Sequence, residues 1–287
     1  MRLVTYYSDH NEPRLGVVRG DHVLDLAAAD GSLPTSLLAL LQAGEEGLAR
    51  ARRVAEGGGA SVTRRLAATR LAAPIPWPSK VIAIGRNYKA HAAETGSDLP
   101  TSPIVFPKFT TAIIGTGTPI TWDASVIKQI DYEGELCVVI GKTAKGVKRA
   151  EALGYVAGYM CGNDVSARDL QFGNGGQWGL GKSPDTFCPL GPWLVTADEV
   201  PQPNGLGIRT FVNGQVMQES NTEYMIFDIP TIIEFITRRM TLLPGDIIMT
   251  GTPDGVGMAR TPQVWLKPGD TVIIEIDGVG RLENPVA

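Results

Sequence analysis

Short apolar runs divided by turn residues make up much of the chain. Near the N-terminus, three such runs lie at residues 3–7, 15–18 and 22–26, and Asn, Pro, Gly and Asp residues separate them. Apolar runs of this length between turn residues predict β-strands. The first part of the chain is therefore predicted to consist mainly of short strands.

A helix and a linker are predicted next. Four leucines between residues 37 and 41 form one patch, which favours a helix. The sequence Gly-Glu-Glu-Gly at 44–47 is expected to break this helix. Residues 51–72 are rich in Ala and Arg, contain a run of three glycines and show no clear apolar period. We therefore predict a small N-terminal domain with its linker at residues 1–72 and a larger domain at 73–287.

Stronger strand signals follow in the larger domain. Val81-Ile82-Ala83-Ile84 is typical of a buried strand, whereas residues 87–95 and Pro230–Met240 favour short helices. Strands outnumber helices and do not alternate regularly with them, so the predicted fold class is α+β with a mostly β core. The other strand candidates are Ile104–Pro107, Glu133–Ile140, Tyr155–Asn163, Trp193–Thr196, Ile208–Val212, Asp246–Thr250 and Thr271–Ile276.

Composition and charge narrow the function classes. Of the 287 residues, 43% are hydrophobic and 20% are charged, which argues against a disordered chain. The 26 basic and 30 acidic residues give a net charge of −4, so no basic surplus is available for binding nucleic acid. No apolar run reaches the roughly 18 residues of a membrane span. The N-terminus also lacks the apolar core of a signal peptide.

Cysteine and histidine are both rare. Cys137, Cys161 and Cys188 are odd in number and lack the spacing of a metal site. We therefore expect no structural disulfide and a reducing, cytoplasmic location. With only three histidines in the chain, acid–base chemistry near neutral pH has few candidates.

Two glutamates at the start of a predicted strand are the strongest local signal for chemistry. Glu133 and Glu135 are two positions apart, so on a strand they project from the same face. Like charges this close raise each other's pKa unless a cation lies between them. A strand end with two solvated carboxylates is the alternative interpretation.

A third acid favours a metal site. Asp164 follows the predicted strand Tyr155–Asn163, and no histidine lies close to these three acids in the sequence. Three carboxylates form an all-oxygen site, which suits Mg²⁺ or Mn²⁺. Asp169 could also be a ligand, but pairing with Arg168 or capping a helix is the favoured interpretation.

Two further groups could act on a bound molecule. In a helical turn Glu94 lies beside His91 and can hold the imidazole in one tautomer, as in a general base, although a surface pair is the alternative. Lys182 lies among glycines and prolines and could be a buried cation that stabilises an enolate or a carboxylate, or simply a loop lysine. The glycine-rich turn at 250–257 could offer backbone N–H groups to an anion, or be a plain tight turn.

Together these motifs resemble the fumarylacetoacetate hydrolase superfamily over about residues 80–286. The resemblance rests on motifs that occur in the same order as in the family: Gly85-Arg86-Asn87-Tyr88, His91 with Glu94, Glu133-Gly134-Glu135-Leu136, residues 163–169, Gly181-Lys182 with Asp185-Thr186, and Thr250-Gly251-Thr252-Pro253.

The resemblance implies a fold and a metal. The fold would be the family's mixed β-sandwich roll, an α+β fold, usually assembled as a homodimer. Residues 1–72 would be a small N-terminal α+β domain like the extension seen on many bacterial members. Glu133, Glu135 and Asp164 would hold Mg²⁺ or Mn²⁺.

The same resemblance implies roles for six other residues. His91 and Glu94 would form a water-activating dyad on a mobile lid, and Lys182 would contact the substrate or the developing negative charge. Three residues would occupy further substrate-contacting positions: Arg86, Gln171 and Thr250.

The first functional hypothesis is hydrolysis of a C–C bond in a small 2,4-dioxo acid. A 2-oxo carboxylate can chelate an open octahedral metal site, and water activated by His91 and Glu94 would attack the distal carbonyl. The reaction would release pyruvate or a related 2-oxo acid. The substrates in question are an acylpyruvate, a fumarylpyruvate-like diacid or a diketo-deoxy sugar acid.

Other hypotheses use the same metal site differently. The superfamily also contains decarboxylases of oxaloacetate-type acids and isomerases of unsaturated oxo diacids. A metal-binding or ligand-sensing homologue without catalysis is a further alternative, against which the intact dyad and acid triad argue. Specificity is expected to depend on residues 95–103, 171–178 and 218–226. Their composition does not indicate which acyl group the substrate carries.

Overall fold

The protein is described by a computed structural model that covers residues 1–57, 63–173 and 175–287. The strands in these ranges are β1 Arg2–Tyr7, β2 Pro13–Arg19, β3 His22–Asp25, β4 Thr63–Arg65, β5 Val81–Gly85, β6 Ile104–Lys108, β7 Ile113–Ile114, β8 Ile130–Asp131, β9 Gly134–Ile140, β10 Val156–Asn163, β11 Ser166–Ala167, β12 Cys188–Thr196, β13 Gly207–Val212, β14 Gln215–Asn221, β15 Ile247–Met249, β16 Thr271–Ile276 and β17 Gly280–Pro285. The helices are α1 Leu26–Ala29, α2 Leu37–Gln42, α3 Gly44–Gly57, α4 Lys89–Glu94, α5 Arg168–Phe172, α6 Trp178–Lys182 and α7 Ile229–Thr237.

One large mixed sheet runs through both halves of the chain. Its strand order is β4-β3-β2-β1-β12-β10-β9-β15-β5-β6, and β7 pairs with β12 beside this path. Most neighbours are antiparallel, but β15 and β5 are parallel, as are β7 and β12. The predicted α+β class with a mostly β core is confirmed.

A four-stranded antiparallel sheet packs against the large sheet. Its order is β14-β13-β16-β17. The largest cluster of buried apolar side chains joins Leu136 and Val138 of the large sheet to Ile208, Ile274 and Leu282 of the smaller one. Burial of such side chains is the main favourable contribution to folding. The two sheets therefore share one core, as in a sandwich.

The N-terminal strands belong to the large sheet. β1 pairs with β12, with Arg2 opposite Val195 and Leu3 opposite Leu194. A second buried cluster contains Leu3 together with Ile247 of β15. The predicted boundary between residues 72 and 73 therefore does not interrupt the sheet.

The region around residues 44–57 differs from the prediction. Gly44 turns the chain with a φ of 69°, as expected for a break. Helix α3 nevertheless begins at Gly44 and continues to Gly57, where no regular element is predicted. Ala51 is the one fully buried side chain of this helix among the described residues. A helix with so narrow a buried face leaves almost no apolar period in the sequence. The glycines at 58 and 59 lie outside the described residues.

Six of the described strands and part of a seventh escape the sequence prediction: β4, β7, β8 and β11, which have only two or three residues each, β14, β17 and the first part of β12. β14 and β17 carry many polar side chains, so neither forms an apolar run. β12 begins at Cys188, well before the predicted Trp193, and passes through Pro189 and Pro192. Proline is normally read as a strand breaker because it lacks an N–H donor.

The three cysteines lie in strands of the large sheet. Cys137, Cys161 and Cys188 are all buried and free. Burial raises the pKa of each of these thiols. Among the described residues, no helix combines the length and the apolar character needed to cross a membrane.

Candidate metal centre and active site

Most of the predicted site residues meet at one cavity. It has a volume of about 200 Å³. Six of the predicted residues line it: Arg86, His91, Glu133, Glu135, Gln171 and Lys182.

The three predicted metal ligands are brought together by the pairing of β9 with β10. Glu133 immediately precedes β9, Glu135 lies in it, and Asp164 immediately follows β10. Asn163 lies opposite Gly134 in the antiparallel register, and the Asp164 N–H donates to the Glu133 carbonyl at 2.8 Å. One carboxylate oxygen from each of Glu133, Glu135 and Asp164 lies within 4.8 Å of the others.

Two of these acids are paired with buried cations. Lys182 Nζ lies 2.6 Å from Glu133 Oε2 and 2.9 Å from Asp164 Oδ2. Arg168 Nη2 lies 2.7 Å from Glu133 Oε1, and Lys108 donates to Asp164. Burial alone would raise the pKa of Glu133, but Lys182 and Arg168 outweigh burial and lower it to about 2. Glu133 is therefore ionised at neutral pH.

Glu135 is the member of the triad without a cationic partner in the described part of the chain. Its Oε2 accepts one hydrogen bond from the Gly251 N–H at 2.8 Å. Burial, together with Asp164 and Glu133, raises its pKa well above the usual range. A divalent cation among the three carboxylates would reverse this effect, because an opposite charge favours the ionised form. The all-oxygen donor set fits Mg²⁺ or Mn²⁺, which Glu133, Glu135 and Asp164 would hold.

His91 and Glu94 form the predicted hydrogen-bonded pair on α4. His91 Nδ1 lies 2.7 Å from Glu94 Oε1, and the imidazole is only 7% exposed where it lines the cavity. Because a carboxylate accepts, Nδ1 is assigned the proton and Nε2 is left as the basic nitrogen. His91 is buried and Glu94 is partly buried, so the pair is not the surface pair of the alternative interpretation.

The glycine-rich turn at 250–257 binds anions that belong to the protein itself. Besides the bond from Gly251 to Glu135, the Gly255 N–H donates to Glu94 Oε2 at 2.7 Å. The Gly257 N–H donates to Asp131 Oδ1 at 2.7 Å. The turn thus positions one metal-ligand candidate and the partner of His91. Gly255 has a φ of 97°, and a side chain there would meet the Met217 carbonyl oxygen.

Gln171 and Thr250 differ in their relation to the cavity. Gln171 lines it, but its Oε1 already accepts a hydrogen bond from Arg168 at 2.9 Å. The Thr250 hydroxyl donates to the Leu136 carbonyl at 2.8 Å inside the sheet. Thr252, rather than Thr250, is the threonine that lines the cavity.

The three segments expected to set specificity differ in whether they line the cavity. Thr95 and Ser97 line the cavity, and so do Phe172 and Trp178. Among the described lining residues, none comes from 218–226. Two of the three segments can therefore contact a molecule bound in this cavity.

Three charged residues of the site were not assigned a role from the sequence. Arg168 pairs with Asp131 and Glu133, and not with the neighbouring Asp169. Asp169 instead accepts a hydrogen bond from the Lys128 N–H at 2.7 Å, outside the acid triad. Lys108 is fully buried and donates to Asp164 and to the Lys182 carbonyl. Arg168 lies inside the quoted motif at residues 163–169 and Asp131 lies two residues before Glu133, whereas Lys108 has no local signal.

Comparison with known proteins connects this geometry to a family. The family model described as fumarylacetoacetate (FAA) hydrolase C-terminal matches residues 80–287. The mitochondrial oxaloacetate tautomerase fahd2 of Xenopus laevis is 44% identical over 290 residues, spanning 100% of this chain and 90% of that protein. Among solved structures, fumarylacetoacetate hydrolase from Exiguobacterium antarcticum matches with a TM-score of 0.85 at 36% identity, covering 100% of this chain and 99% of that one.

A second solved structure contains a metal. It is maleylpyruvate hydrolase from Sphingobium sp. SYK-6 in complex with manganese(II) and pyruvate, which matches with a TM-score of 0.81 at 35% identity. The match covers 100% of this chain and 99% of that one. With its sheet order, its buried acid triad and these matches along its whole length, the chain belongs to the fumarylacetoacetate hydrolase family.

Proposed function

We propose that this protein catalyses proton transfer at the carbon next to the oxo group of a small 2-oxo dicarboxylic acid, interconverting its keto and enol forms. One observation carries the proposal: the base His91, the cation Lys182 and the carboxylates Glu133 and Glu135 are all buried and line the same cavity. Removing a proton beside an oxo group requires a positioned base and stabilisation of the enolate that forms.

Each residue has a task that its contacts support. In the keto-to-enol direction, His91 Nε2 takes the proton from carbon, the C–H electron pair moves into the C–C bond, and the C=O π pair moves onto the oxo oxygen. That oxygen then takes a proton from water, and the imidazolium returns its proton to solvent. Glu94 accepts from Nδ1 and stabilises the imidazolium that forms. Lys182, 2% exposed, places a positive charge at the cavity wall. A divalent cation, when bound, supplies Lewis-acid polarisation of the oxo group.

The relatives support this reaction class. The Xenopus laevis relative is named an oxaloacetate tautomerase. Tautomerisation is not among the reactions predicted from the sequence, but it is close to the predicted isomerisation of unsaturated oxo diacids, since both move a proton to or from carbon. That relative is also named as mitochondrial, so a cytoplasmic location for the present chain stays a prediction. The homodimer implied by the family also stays a prediction, which sedimentation analysis would test.

Hydrolysis of a 2,4-dioxo acid is the second candidate. The same His91–Glu94 pair could activate a water molecule, and the neighbour crystallised with manganese(II) and pyruvate is named a maleylpyruvate hydrolase. Decarboxylation of an oxaloacetate-type acid would use the metal site but needs no base at His91. The three reactions therefore differ in what happens to the carbon skeleton.

Product analysis separates the candidates. The protein with Mg²⁺ or Mn²⁺ is offered enol oxaloacetate and, separately, an acylpyruvate. We expect faster conversion of the enol to keto oxaloacetate, followed by its ultraviolet absorbance, with no matching release of pyruvate. Rapid pyruvate release from the acylpyruvate with no effect on the enol would replace the proposal by hydrolysis. Absence of metal-dependent turnover on either compound would favour the non-catalytic homologue.

A further inference from the structure

A hydrogen bond from the backbone of Gly255 orients the His91–Glu94 pair. Among the described residues, each carboxylate oxygen of Glu94 has one hydrogen-bond partner: Oε1 meets His91 Nδ1 and Oε2 meets the Gly255 N–H, both at 2.7 Å. A carboxylate that is held at one oxygen only can still rotate. The Gly255 N–H therefore determines where Oε1 of Glu94 meets the imidazole.

The backbone at Gly255 needs neighbouring contacts to stay in place. Its φ of 97° lies in a region that glycine adopts readily and other residues rarely do. A side chain there would also come within 2.2 Å of the Met217 carbonyl oxygen. Because only glycine fits and glycine has many accessible conformations, its own backbone does not keep the N–H directed at Glu94.

Two side chains hold the carbonyl group of Gly255. The Tyr132 hydroxyl donates to it at 3.0 Å, and Arg260 Nε lies 3.2 Å from both this carbonyl oxygen and the Tyr132 hydroxyl oxygen. Arg260 Nη2 also donates to the carbonyl of Met217 in β14. Tyr132 is buried and Arg260 is half-buried, and neither is among the described residues that line the cavity.

We infer that Arg260 and Tyr132 are positioning residues for the base His91. By holding the Gly255 carbonyl they keep Glu94, and through it the imidazole, in the orientation needed for proton transfer. A displacement of about 1 Å in a reacting group can cost about 10²-fold in rate, even when its cause lies far from the chemistry. The inference rests on the proposed function for the effect on turnover, but not for the orientation of His91.

The tautomer of His91 tests the inference without any turnover. The chain has only three histidines, so ¹⁵N labelling of histidine gives few NMR signals, and His91→Asn identifies those of His91. At a pH where the imidazole is neutral, we expect wild type to carry the proton on Nδ1. In Arg260→Met we expect a mixture of the Nδ1–H and Nε2–H forms, because Glu94 is no longer held in one orientation. Arg260→Lys keeps an N–H donor and should recover part of the Nδ1–H form.

Turnover of enol oxaloacetate gives a second measurement. For Arg260→Met we expect kcat to fall by about 10- to 100-fold, since a misplaced base can cost that much. KM should stay close to the wild-type value, because Arg260 is not among the described residues that line the cavity. Tyr132→Phe keeps the buried ring and removes only the hydroxyl, so it should cause a smaller loss in the same direction.

Two matched variants control for the loss of an arginine and of a buried tyrosine hydroxyl. Arg209→Met removes a half-buried arginine of β13 that donates to Asp277 at 3.0 Å. Tyr159→Phe removes the hydroxyl of a buried tyrosine in β10. Neither residue is among the described residues that line the cavity, so both variants should keep the His91 tautomer and the kinetic constants of wild type.

The NMR measurement separates this inference from the proposed reaction. If wild type does not convert oxaloacetate, the proposed function fails, and the tautomer of His91 still decides the inference. A shift toward Nε2–H in Arg260→Met and Tyr132→Phe, absent from both controls, supports it. An unchanged Nδ1–H form in these two variants, even with a lower melting temperature, would overturn it, as would an equal shift in the controls. If Arg260→Met does not fold, Tyr132→Phe decides alone.

Discussion

Two ionic clusters in this protein differ in whether every acid has a cationic partner. In the N-terminal half, Asp25 accepts hydrogen bonds from Tyr6 at 2.6 Å, from Arg14 at 2.5 and 3.1 Å, and from the Ala28 N–H at 2.8 Å. Burial acts to raise the pKa of Asp25, but Arg14, Tyr6 and Ala28 outweigh burial and lower it. One acid and one base thus satisfy each other, and no charge is left for a ligand.

In the ionic cluster beside the cavity, the acids outnumber the cations. Among the described residues it joins four carboxylates (Asp131, Glu133, Glu135 and Asp164) to three cations (Lys108, Arg168 and Lys182), an excess of one acid. The acid left without a cation is Glu135, whose pKa is raised. In the Asp25 cluster each charge has a partner within the protein. The cluster beside the cavity leaves the buried Glu135 carboxylate without a cationic partner, and this carboxylate could bind a cation from solution.

Removing the base should have the largest effect while leaving the acid cluster intact. His91→Asn keeps a polar side chain of similar width but cannot take up a proton at neutral pH. We expect kcat for the proposed tautomerisation to fall by about 10²- to 10⁴-fold. The rise in melting temperature on adding Mg²⁺ or Mn²⁺ should persist, since His91 is not among the proposed ligands. Near-normal turnover in this variant would exclude His91 as the base.

Neutralising the unpaired acid should have the next largest effect. Glu135→Gln removes the charge that a cation would meet but keeps the shape of the side chain. We expect Mn²⁺ affinity, measured by calorimetry, to fall at least about 10-fold, since even residues behind the ligands change affinity by that much. The free energy of unfolding without metal should not decrease, because a buried group with a raised pKa has been replaced by a neutral one. Unchanged Mn²⁺ affinity would remove Glu135 from the site.

Neutralising the acid of the Asp25 cluster should lower stability and leave Mn²⁺ affinity unchanged, the opposite of Glu135→Gln. Asp25→Asn leaves Arg14 without its partner, so we expect the free energy of unfolding in urea to fall by about 1–3 kcal/mol. Mn²⁺ affinity and turnover should stay at wild-type values, because Asp25 lies on β3, outside the cavity. A loss of metal binding in Asp25→Asn would contradict the separation of the two clusters.

The pH dependence of stability should also separate the clusters, with a smaller effect. The pKa of Asp25 is lowered in the fold, so its stabilisation is present above its ordinary value of 3.8 and is lost as pH falls through the folded value. The pKa of Glu135 is raised above 4.5, so its contribution is present below 4.5 and is lost as pH rises through the folded value. Urea unfolding without metal should therefore show Glu135→Gln gaining stability on wild type as pH rises from 4.5. A constant difference would contradict the raised pKa.

Local spacing predicts the parts of the site that lie close together in the chain. Glu133 and Glu135 share a strand face, and His91 and Glu94 share a helical turn, so each pair follows from the geometry of one element. Both pairs are found as hydrogen-bonded or clustered groups in the structure. The burial of Lys182 agrees with its surroundings of glycine and proline.

Contacts between distant strands cannot be predicted in this way. Lys108 meets Asp164, which is 56 positions away, and Arg168 meets Asp131, which is 37 positions away. Lys108 follows an ordinary apolar strand run, and only the order β9-β15-β5-β6 brings it near the acids. The strand β14 is missed for a different reason. Its residues, Gln215–Asn221, are mostly polar, and pairing with β13 stabilises the strand without an apolar pattern.

Hydrogen–deuterium exchange at carbon tests the central claim most directly. Oxaloacetate in D₂O with Mg²⁺ is followed by NMR at the carbon next to the oxo group, with wild type and with His91→Asn. We predict metal-dependent exchange well above the spontaneous rate in wild type, with the carbon skeleton intact, and only the spontaneous rate in His91→Asn. Equal exchange in the two proteins, or C–C cleavage without exchange in wild type, would contradict proton transfer by His91 at this site.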